Sequence, residues 1–318
     1  MSDRIAVIGA GAWGTALAIL FAHAGKNVTL WARTAESAAR MRATRVSPRL
    51  PGAKLPENLV LTHEMPAGAD ILLLAVPMQH LREILPLLPP GPPVLLCCKG
   101  LERGTLLLPP EIVTNRPAAM LTGPNFAHEI AACLPAAAVL AMPDATTRAA
   151  LTAALHTSSL RLYGSPDIIG AALGGAAKNV IAIAAGVVIG AGFGENARAA
   201  LITRGLAEIA RLATALGGRP ETISGLSGLG DLLLTCTGTS SRNFSLGLAL
   251  GQGQSLDDIL GHRTAVTEGV ATAPALLARA QAAGVDMPIT EAVTALLSGE
   301  KNIPQTMAAL MGRALKDE

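Results

Sequence analysis

Aromatic residues are scarce in this chain: two Trp, one Tyr and four Phe among 318 residues. That is too few for the stacked-ring platforms that hold single-stranded nucleic acid. An excess of one charge is missing too. Twenty-five Lys and Arg stand against 23 Asp and Glu, a net +2, far short of the phosphate-neutralising surface of a dedicated nucleic-acid binder. Cys97, Cys98, Cys133 and Cys236 show no CxxC spacing, which argues for buried thiols and against a disulfide framework or a zinc site. The six histidines form no paired ligand spacing, and neither GxxxxGK[ST] nor GxSxG occurs. No metal site, P-loop or nucleophile elbow is therefore expected. No basic leader or signal-peptide core precedes Ile5, which reads as a cytoplasmic protein. The long apolar stretch from Ile168 to Phe193 carries Lys178 and Asn179 near its middle and lacks flanking Trp or Tyr. It reads as a buried helix, not a membrane span.

What is present is apolar: 50% hydrophobic against 15% charged residues, a composition that folds. The length suits two domains. Short continuous apolar runs recur through the first half, at Arg4–Ile8, Val28–Ala32, Ile71–Val76, Val94–Cys98, Ala118–Leu121, Ala136–Ala141 and Leu160–Tyr163. Each is too short for a helix, and runs without polar alternation mark strands buried on both faces. The expected fold is α/β: an N-terminal doubly wound, mostly parallel sheet domain over residues 1–164, its ligand crevice beyond the carboxyl ends of the strands. Beyond it no strand run appears. Helical spacing such as Leu206, Ile209, Ala213 and Leu216, stopped by Gly217, Gly218 and Pro220, predicts an all-α domain over residues 165–318.

The chemistry-bearing residues begin with Gly9, Gly11 and Gly14, a GxGxxG between the first strand and the helix Thr15–Ala24. In that context the glycines permit a tight turn, backbone approach to a pyrophosphate and close helix packing, while the helix dipole meets the negative charge. This predicts a Rossmann-like dinucleotide site. The similar Gly190, Gly192 and Gly194 follow a helical stretch and read as a turn. Where an NAD-binding domain usually carries an acid on the ribose, this chain has Arg33; a guanidinium there pairs with a 2′-phosphate, which tilts the preference toward NADP and leaves NAD open.

Two other strand ends open toward the same expected crevice, one at Lys99 and one at Gly123 to Ala127. Lys99 there would face an anion. Lys178 is the ionisable residue of an otherwise small and apolar segment between Asp167 and Glu195. Desolvation would lower its pKa toward the range of a general base for an alcohol, whereas a carboxylate partner, for which Asp231 is the candidate, would oppose that shift. Arg242 has the planar fork that grips phosphate, and Asn243 adds a donor. Each has a plainer reading: snorkelling for Lys178, a helix cap for Asp231, a polar loop for Ser241 to Asn243. Asp257 and Asp258 read as a solvated helix start.

Taken in order, Gly-x-Gly-x-Trp-Gly-Thr-Ala at 9–16, Lys99-Gly100, Gly-Pro-x-Phe-Ala at 123–127, Lys178-Asn179-Val180, Gly-Leu-Gly-Asp-Leu at 228–232, Ser-Arg-Asn at 241–243 and Glu268-Gly269 resemble the bacterial NAD(P)-dependent glycerol-3-phosphate dehydrogenases. The resemblance covers nearly the whole chain. It implies interconversion of sn-glycerol 3-phosphate and dihydroxyacetone phosphate, a reaction that feeds phospholipid synthesis. It further implies Lys178 as proton acceptor, and Lys99, Gly123, Asn125, Asp231, Ser241, Arg242 and Asn243 as substrate-binding residues. Gly9, Gly11, Ala12, Trp13, Gly14, Arg33, Lys99, Ala127, Arg242, Val266 and Glu268 would line the cofactor. Two positions depart from the family pattern: Asn125 and Ala12 stand where Ser is common. An Asn there donates the same hydrogen bond if it has room, and Ala12 loses a hydroxyl contact. A β-hydroxyacid dehydrogenase and a catalytically silent cofactor-binding sensor are the competing readings. The expected partner is a small phosphorylated molecule, not nucleic acid or membrane; a homodimer is compatible with the apolar helical domain.

Overall fold

In the computed structural model, which describes residues 4–263 and 266–313, the apolar runs of the first half pair into one eight-stranded sheet. Met1–Asp3, the start of the segment on which the absence of a leader was read, lie outside the described residues. The strands are β1 (Arg4–Ile8), β2 (Asn27–Trp31), β3 (Val60–Thr62), β4 (Ile71–Leu74), β5 (Val94–Leu96), β6 (Ala118–Thr122), β7 (Ala136–Ala141) and β8 (Leu160–Ser165), in spatial order β3-β2-β1-β4-β5-β6-β7-β8. All neighbours are parallel except β6 and β7. The mostly parallel, doubly wound expectation is met. Central strands such as β4 and β5 are buried at every residue, as covering helices on both faces require.

Three differences from the sequence reading have local causes. β3 was not expected; it is three residues long, lies at the sheet edge and exposes Val60, so it carries no periodic signal. β5 stops at Leu96 instead of Cys98, although the Cys97 N–H still donates to Leu74 O at 3.0 Å. β8 alternates, with Leu160 and Leu162 buried and Arg161 and Tyr163 exposed, because the opposite edge has one open face.

The helices of this part are α1 (Ala12–His23), α2 (Ala35–Thr44), α3 (Leu81–Ile84), α4 (Pro109–Ile112), α5 (Ala127–Ala131) and α6 (Ala145–Leu155). α1 buries every residue from Gly14 to Ala22. It ends where Gly25 takes a φ of +74°, which a Cβ would disfavour.

The remaining helices are α7 (Ile168–Gly190), α8 (Gly194–Ala215), α9 (Pro220–Ser224), α10 (Asp231–Cys236), α11 (Arg242–Gly251), α12 (Leu256–Gly261), α13 (Glu268–Ala282), α14 (Pro288–Leu297) and α15 (Ile303–Met311). No strand occurs among the described residues after Ser165. The chain forms two compact units, residues 1–99 with 107–172, and residues 100–106 with 173–318. The seam thus falls inside α7, eight residues after the 164/165 boundary read from the last apolar run, because a helix can begin in one unit and continue into the next without a break in pattern.

α7 is long and apolar enough to cross a membrane by length and composition, yet 94% of its most apolar window is buried inside the protein. Its close partner is α11. A Cβ on Gly186 would lie 2.1 Å from Phe244 O, and one on Gly247 would lie 2.0 Å from Ile183 O. Both distances are far inside van der Waals contact, so the two backbones meet through glycine and hold the start of α11 beside the middle of α7.

Candidate active site

In the first unit the glycine loop sits where the strand order reverses, between β1 and β4, which is where ligands of doubly wound sheets bind. Its glycines divide the work. Gly9 has a φ of +114°, and a Cβ there would lie 2.7 Å from Ala75 O; a Cβ on Gly14 would lie 2.0 Å from Gly9 O. Gly11, by contrast, has nothing within 4 Å of its missing Cβ. Two glycines therefore let the protein close on itself, and the third leaves open backbone at the helix N-terminus. No side chain caps α1 there and its first turn carries no acid, so its amides and dipole suit a pyrophosphate. The residues fit a dinucleotide cofactor.

Around this edge lie the other residues singled out in the first unit. Ala12 is the first residue of α1, and Trp13 packs on the core with its buried Nε1 toward the Cys97 thiol. Arg33 follows β2 and is exposed. Lys99 follows β5 and is half-buried. Gly123 follows β6 with a φ of +149°, and its missing Cβ would sit 3.0 Å from Ala138 Cα. Asn125 uses its Nδ2 to donate to Ala137 O at 3.0 Å, leaving Oδ1 buried without a partner. The side chain expected to offer a donor thus presents an acceptor. Ala127 opens α5 and packs on the same core as Ala12 and Trp13. Thr122, at the end of β6, went unnoticed in the sequence; its buried hydroxyl is also unpartnered. Unsatisfied buried polar atoms are costly and rare, and ligand sites are one place they occur.

The second unit is wired differently. Lys178, 8% exposed on α7, donates from Nζ to Asp231 Oδ1 and, at 2.9 Å, to Thr235 Oγ1. Asp231 is fully buried at the start of α10. The pairing proposed from the sequence is present, and the cap reading of Asp231 fails because Gly230 occupies the cap position. Thr235 was missed, although it stands one helical turn after Asp231 and so shares its face. Its hydroxyl donates to Asp231 O at 2.6 Å, which leaves its lone pairs toward the ammonium. Cys236 is buried beside this pair; burial pushes its thiol up to about 12, so it stays protonated and is no nucleophile.

A second network joins α7, α11 and α13. Asn243 Nδ2 donates to Asn179 Oδ1 at 2.9 Å, and Asn243 Oδ1 accepts from Gly269 N at 3.0 Å. Its amide is committed to this internal chain, and Asn179, not singled out as a site residue, is the other half of it. Ser241 caps α11, its Oγ accepting from Phe244 N at 3.2 Å. Arg242 donates from Nη1 to Val266 O at 2.6 Å. Burial of part of its stem holds the guanidinium below its usual range, and Glu268 opposes that shift; more than a third of the residue remains open to solvent, so it keeps its charge. Val266 is half-exposed, and Glu268 opens α13. The buried hydroxyls of Ser227, in the turn before α10, and Thr267, at the start of α13, have no partner among the described residues. No cluster of metal-ligating side chains occurs among the described residues.

Known proteins align with this arrangement along the chain. The model of the NAD-dependent glycerol-3-phosphate dehydrogenase N-terminus matches residues 4–148, and that of the C-terminus of the same enzymes matches residues 167–308. The chain is 62% identical over 320 residues to the glycerol-3-phosphate dehydrogenase [NAD(P)+] of Acidiphilium cryptum, covering 99% of this chain and 98% of that protein. It is 54% identical over 318 residues to the protein of the same name from Gluconobacter oxydans, covering 98% and 97%. The crystal structure of glycerol-3-phosphate dehydrogenase from Coxiella burnetii superposes with a TM-score of 0.92 at 37% identity, over 98% of this chain and 99% of that one. Both family models match in chain order and the relatives align end to end, so the chain belongs to the NAD-dependent glycerol-3-phosphate dehydrogenases.

Proposed function

We propose that this protein interconverts sn-glycerol 3-phosphate and dihydroxyacetone phosphate with NADP or NAD, supplying the backbone of glycerophospholipids in the cytoplasm. The observation that carries the assignment of the chemistry is Lys178: a buried amine among small apolar residues, held by Asp231 and Thr235. In alcohol oxidation the C2 hydroxyl loses a proton to Lys178 Nζ while the C2 hydride departs; in the reverse direction the Lys178 ammonium returns the proton to the developing alkoxide. The nicotinamide, when bound, accepts or supplies the hydride. Asp231 fixes the amine and balances its positive charge in a buried setting, and Thr235 fixes its direction.

The first unit binds the cofactor through Gly9, Gly11, Ala12, Trp13, Gly14, Arg33 and Ala127, and offers Lys99, Gly123 and Asn125 to ligand. The exposed guanidinium of Arg33 supports a tilt toward NADP. The second unit offers Asp231, Ser241, Arg242 and Asn243 to substrate and Arg242, Val266 and Glu268 to cofactor. Within it Ser241 and Asn243 act by presenting Arg242, since their side chains are engaged in a cap and an amide chain. A phosphate fits a guanidinium better than it fits any neutral group here.

The test is loss of reduced-nicotinamide absorbance when the protein meets dihydroxyacetone phosphate with NADPH and, separately, NADH, beside a 3-hydroxy acid control in the oxidative direction. Turnover with the phosphate is expected, and Lys178→Ala should lower kcat by about 10²–10⁴-fold, the usual share of a general acid–base. Intact NADPH binding without turnover would overturn the enzyme reading in favour of a sensor.

A further inference from the structure

Arg242, the grip on the substrate's phosphate in the reading above, is an exposed residue at the start of α11. A long exposed side chain loses rotamer freedom when it closes on an anion, so whatever orients it beforehand strengthens the grip. One edge of its fork is already held, because Nη1 donates to Val266 O at 2.6 Å. Val266 lies between α12 and α13, is half-exposed and belongs to no helix or strand. Its carbonyl can orient Arg242 only if the segment that carries it is fixed to α11. One end of that segment is fixed where Gly269 N donates to Asn243 Oδ1 at 3.0 Å.

Arg263 fixes the other end. Its Nη1 donates to Arg242 O at 2.8 Å and its Nη2 to Ser245 Oγ at 3.1 Å. Ser245 Oγ in turn donates to Arg242 O at 3.2 Å. The planar fork thus spans two acceptors that are bonded to each other in the first turn of α11, a geometry that a guanidinium matches and an ammonium does not. Two arginines therefore cross between the same two segments: Arg242 reaches out to Val266, and Arg263 reaches back to the backbone of Arg242. Burial and then the nearby charge of Arg242 hold the Arg263 guanidinium below its usual range. That repulsion is a cost which a neutral donor would avoid and which an incoming anion relieves.

We propose that Arg263 is a positioning residue for the substrate's phosphate: it ties the segment before α13 to the first turn of α11 and so holds Val266 O where it orients the Arg242 guanidinium. This role rests on the reading of Arg242 as the phosphate grip. Arg263 touches no reacting atom, and its effect passes through Arg242.

The experiment is reduction of dihydroxyacetone phosphate at saturating NADPH by the parent protein, Arg263→Ala, Arg242→Ala and the double variant. In Arg263→Ala the KM for dihydroxyacetone phosphate should rise about tenfold while kcat stays within about twofold, since Lys178 keeps Asp231 and Thr235. Added to Arg242→Ala, the same change should leave KM where it is. Arg263→Lys keeps the charge without the fork and should recover less than half of the loss. Ser245→Ala removes one of the two acceptors and should raise KM about threefold, so the brace is tested even if Arg263→Ala does not fold. Calorimetric titration with inorganic phosphate reads the same grip without turnover, and Arg263→Ala should weaken it by the same factor. A parent that binds phosphate without turnover would remove the reading of the reaction and leave the titration to decide the brace. Four results would overturn the role of Arg263: KM and phosphate affinity unchanged in Arg263→Ala, a full further loss when it is added to Arg242→Ala, complete recovery by Arg263→Lys, or a parent that neither turns over nor binds phosphate.

Discussion

The two units prepare for ligands in opposite ways. The α/β unit leaves its polar groups waiting: an uncapped helix N-terminus, and buried atoms on Thr122 and Asn125 that find no partner among the described residues. The helical unit satisfies most of its own: Lys178 with Asp231 and Thr235, Asn179 with Asn243 and Gly269. A group that waits is costly until a ligand arrives, and it can be altered with modest harm to the fold. A group paired in the core is different, because removing one partner strands the other. Binding and stability should therefore separate in the first unit and travel together in the second.

The largest break in that comparison is Asp231→Ala. It takes the carboxylate partner from the buried Lys178 ammonium and should cost about 3–5 kcal/mol in urea unfolding. Joint replacement, Lys178→Met with Asp231→Leu, should recover most of that stability while activity stays absent, showing that the pair is retained for chemistry.

Glu208 tests the same unit through pH. It is 2% exposed on α8, and its carboxylate accepts from Ile289 N at 2.7 Å and Thr290 N at 3.3 Å at the start of α14. Burial outweighs those bonds and raises its pKa from 4.5 to about 7. Between those values the native state keeps a proton that the unfolded chain has lost. The stabilisation is full below the unfolded value and disappears as pH rises through the native one, a loss of about 3 kcal/mol. Denaturation at pH 5 and pH 7.5 should show this slope in the parent protein, and Glu208→Gln should flatten it. An unchanged slope in the variant would assign the pH dependence elsewhere.

The smallest effects sharpen the contrast inside the glycine loop. Gly14→Ala drives a Cβ onto Gly9 O and should cost roughly 1–3 kcal/mol of stability, as overpacking does. Gly11→Ala meets open space, at a φ of −71° that any residue adopts. It should leave thermal unfolding unchanged and weaken NADPH binding about tenfold by keeping the phosphate off the backbone. Equal losses of stability in the two variants would contradict the division of roles read from the geometry.

How much could be read beforehand follows the same physics. Buried parallel strands announce themselves as unbroken apolar runs, so β1, β4, β6 and β7 were legible, and the glycine loop was legible because strand, turn and helix are consecutive. β3 was not, being three residues held by its neighbour β2 and not by any pattern of its own. Lys178 stood out as a charge in an apolar helix, and Asp231 as a carboxylate among glycine and leucine. Thr235 did not, because a hydroxyl is unremarkable until the lysine is known to meet it. The residue type of Asn243 permits a ligand donor, and only the fold shows both ends of its amide in use within the protein.

Residue order by itself determined the class of fold, the helical texture after Ser165, the glycine loop and the identity of the charged residues proposed for the chemistry. These are local properties, set by periodicity, by glycine spacing and by the cost of burying charge. Tertiary structure decided which of those residues meet. The glycine crossing of α7 and α11, the Lys178–Asp231–Thr235 contact and the capping of α14 by Glu208 join positions about 50 to 80 residues apart in the chain. No local pattern encodes such distances, because they follow from how helix surfaces pack and not from the residues that separate them.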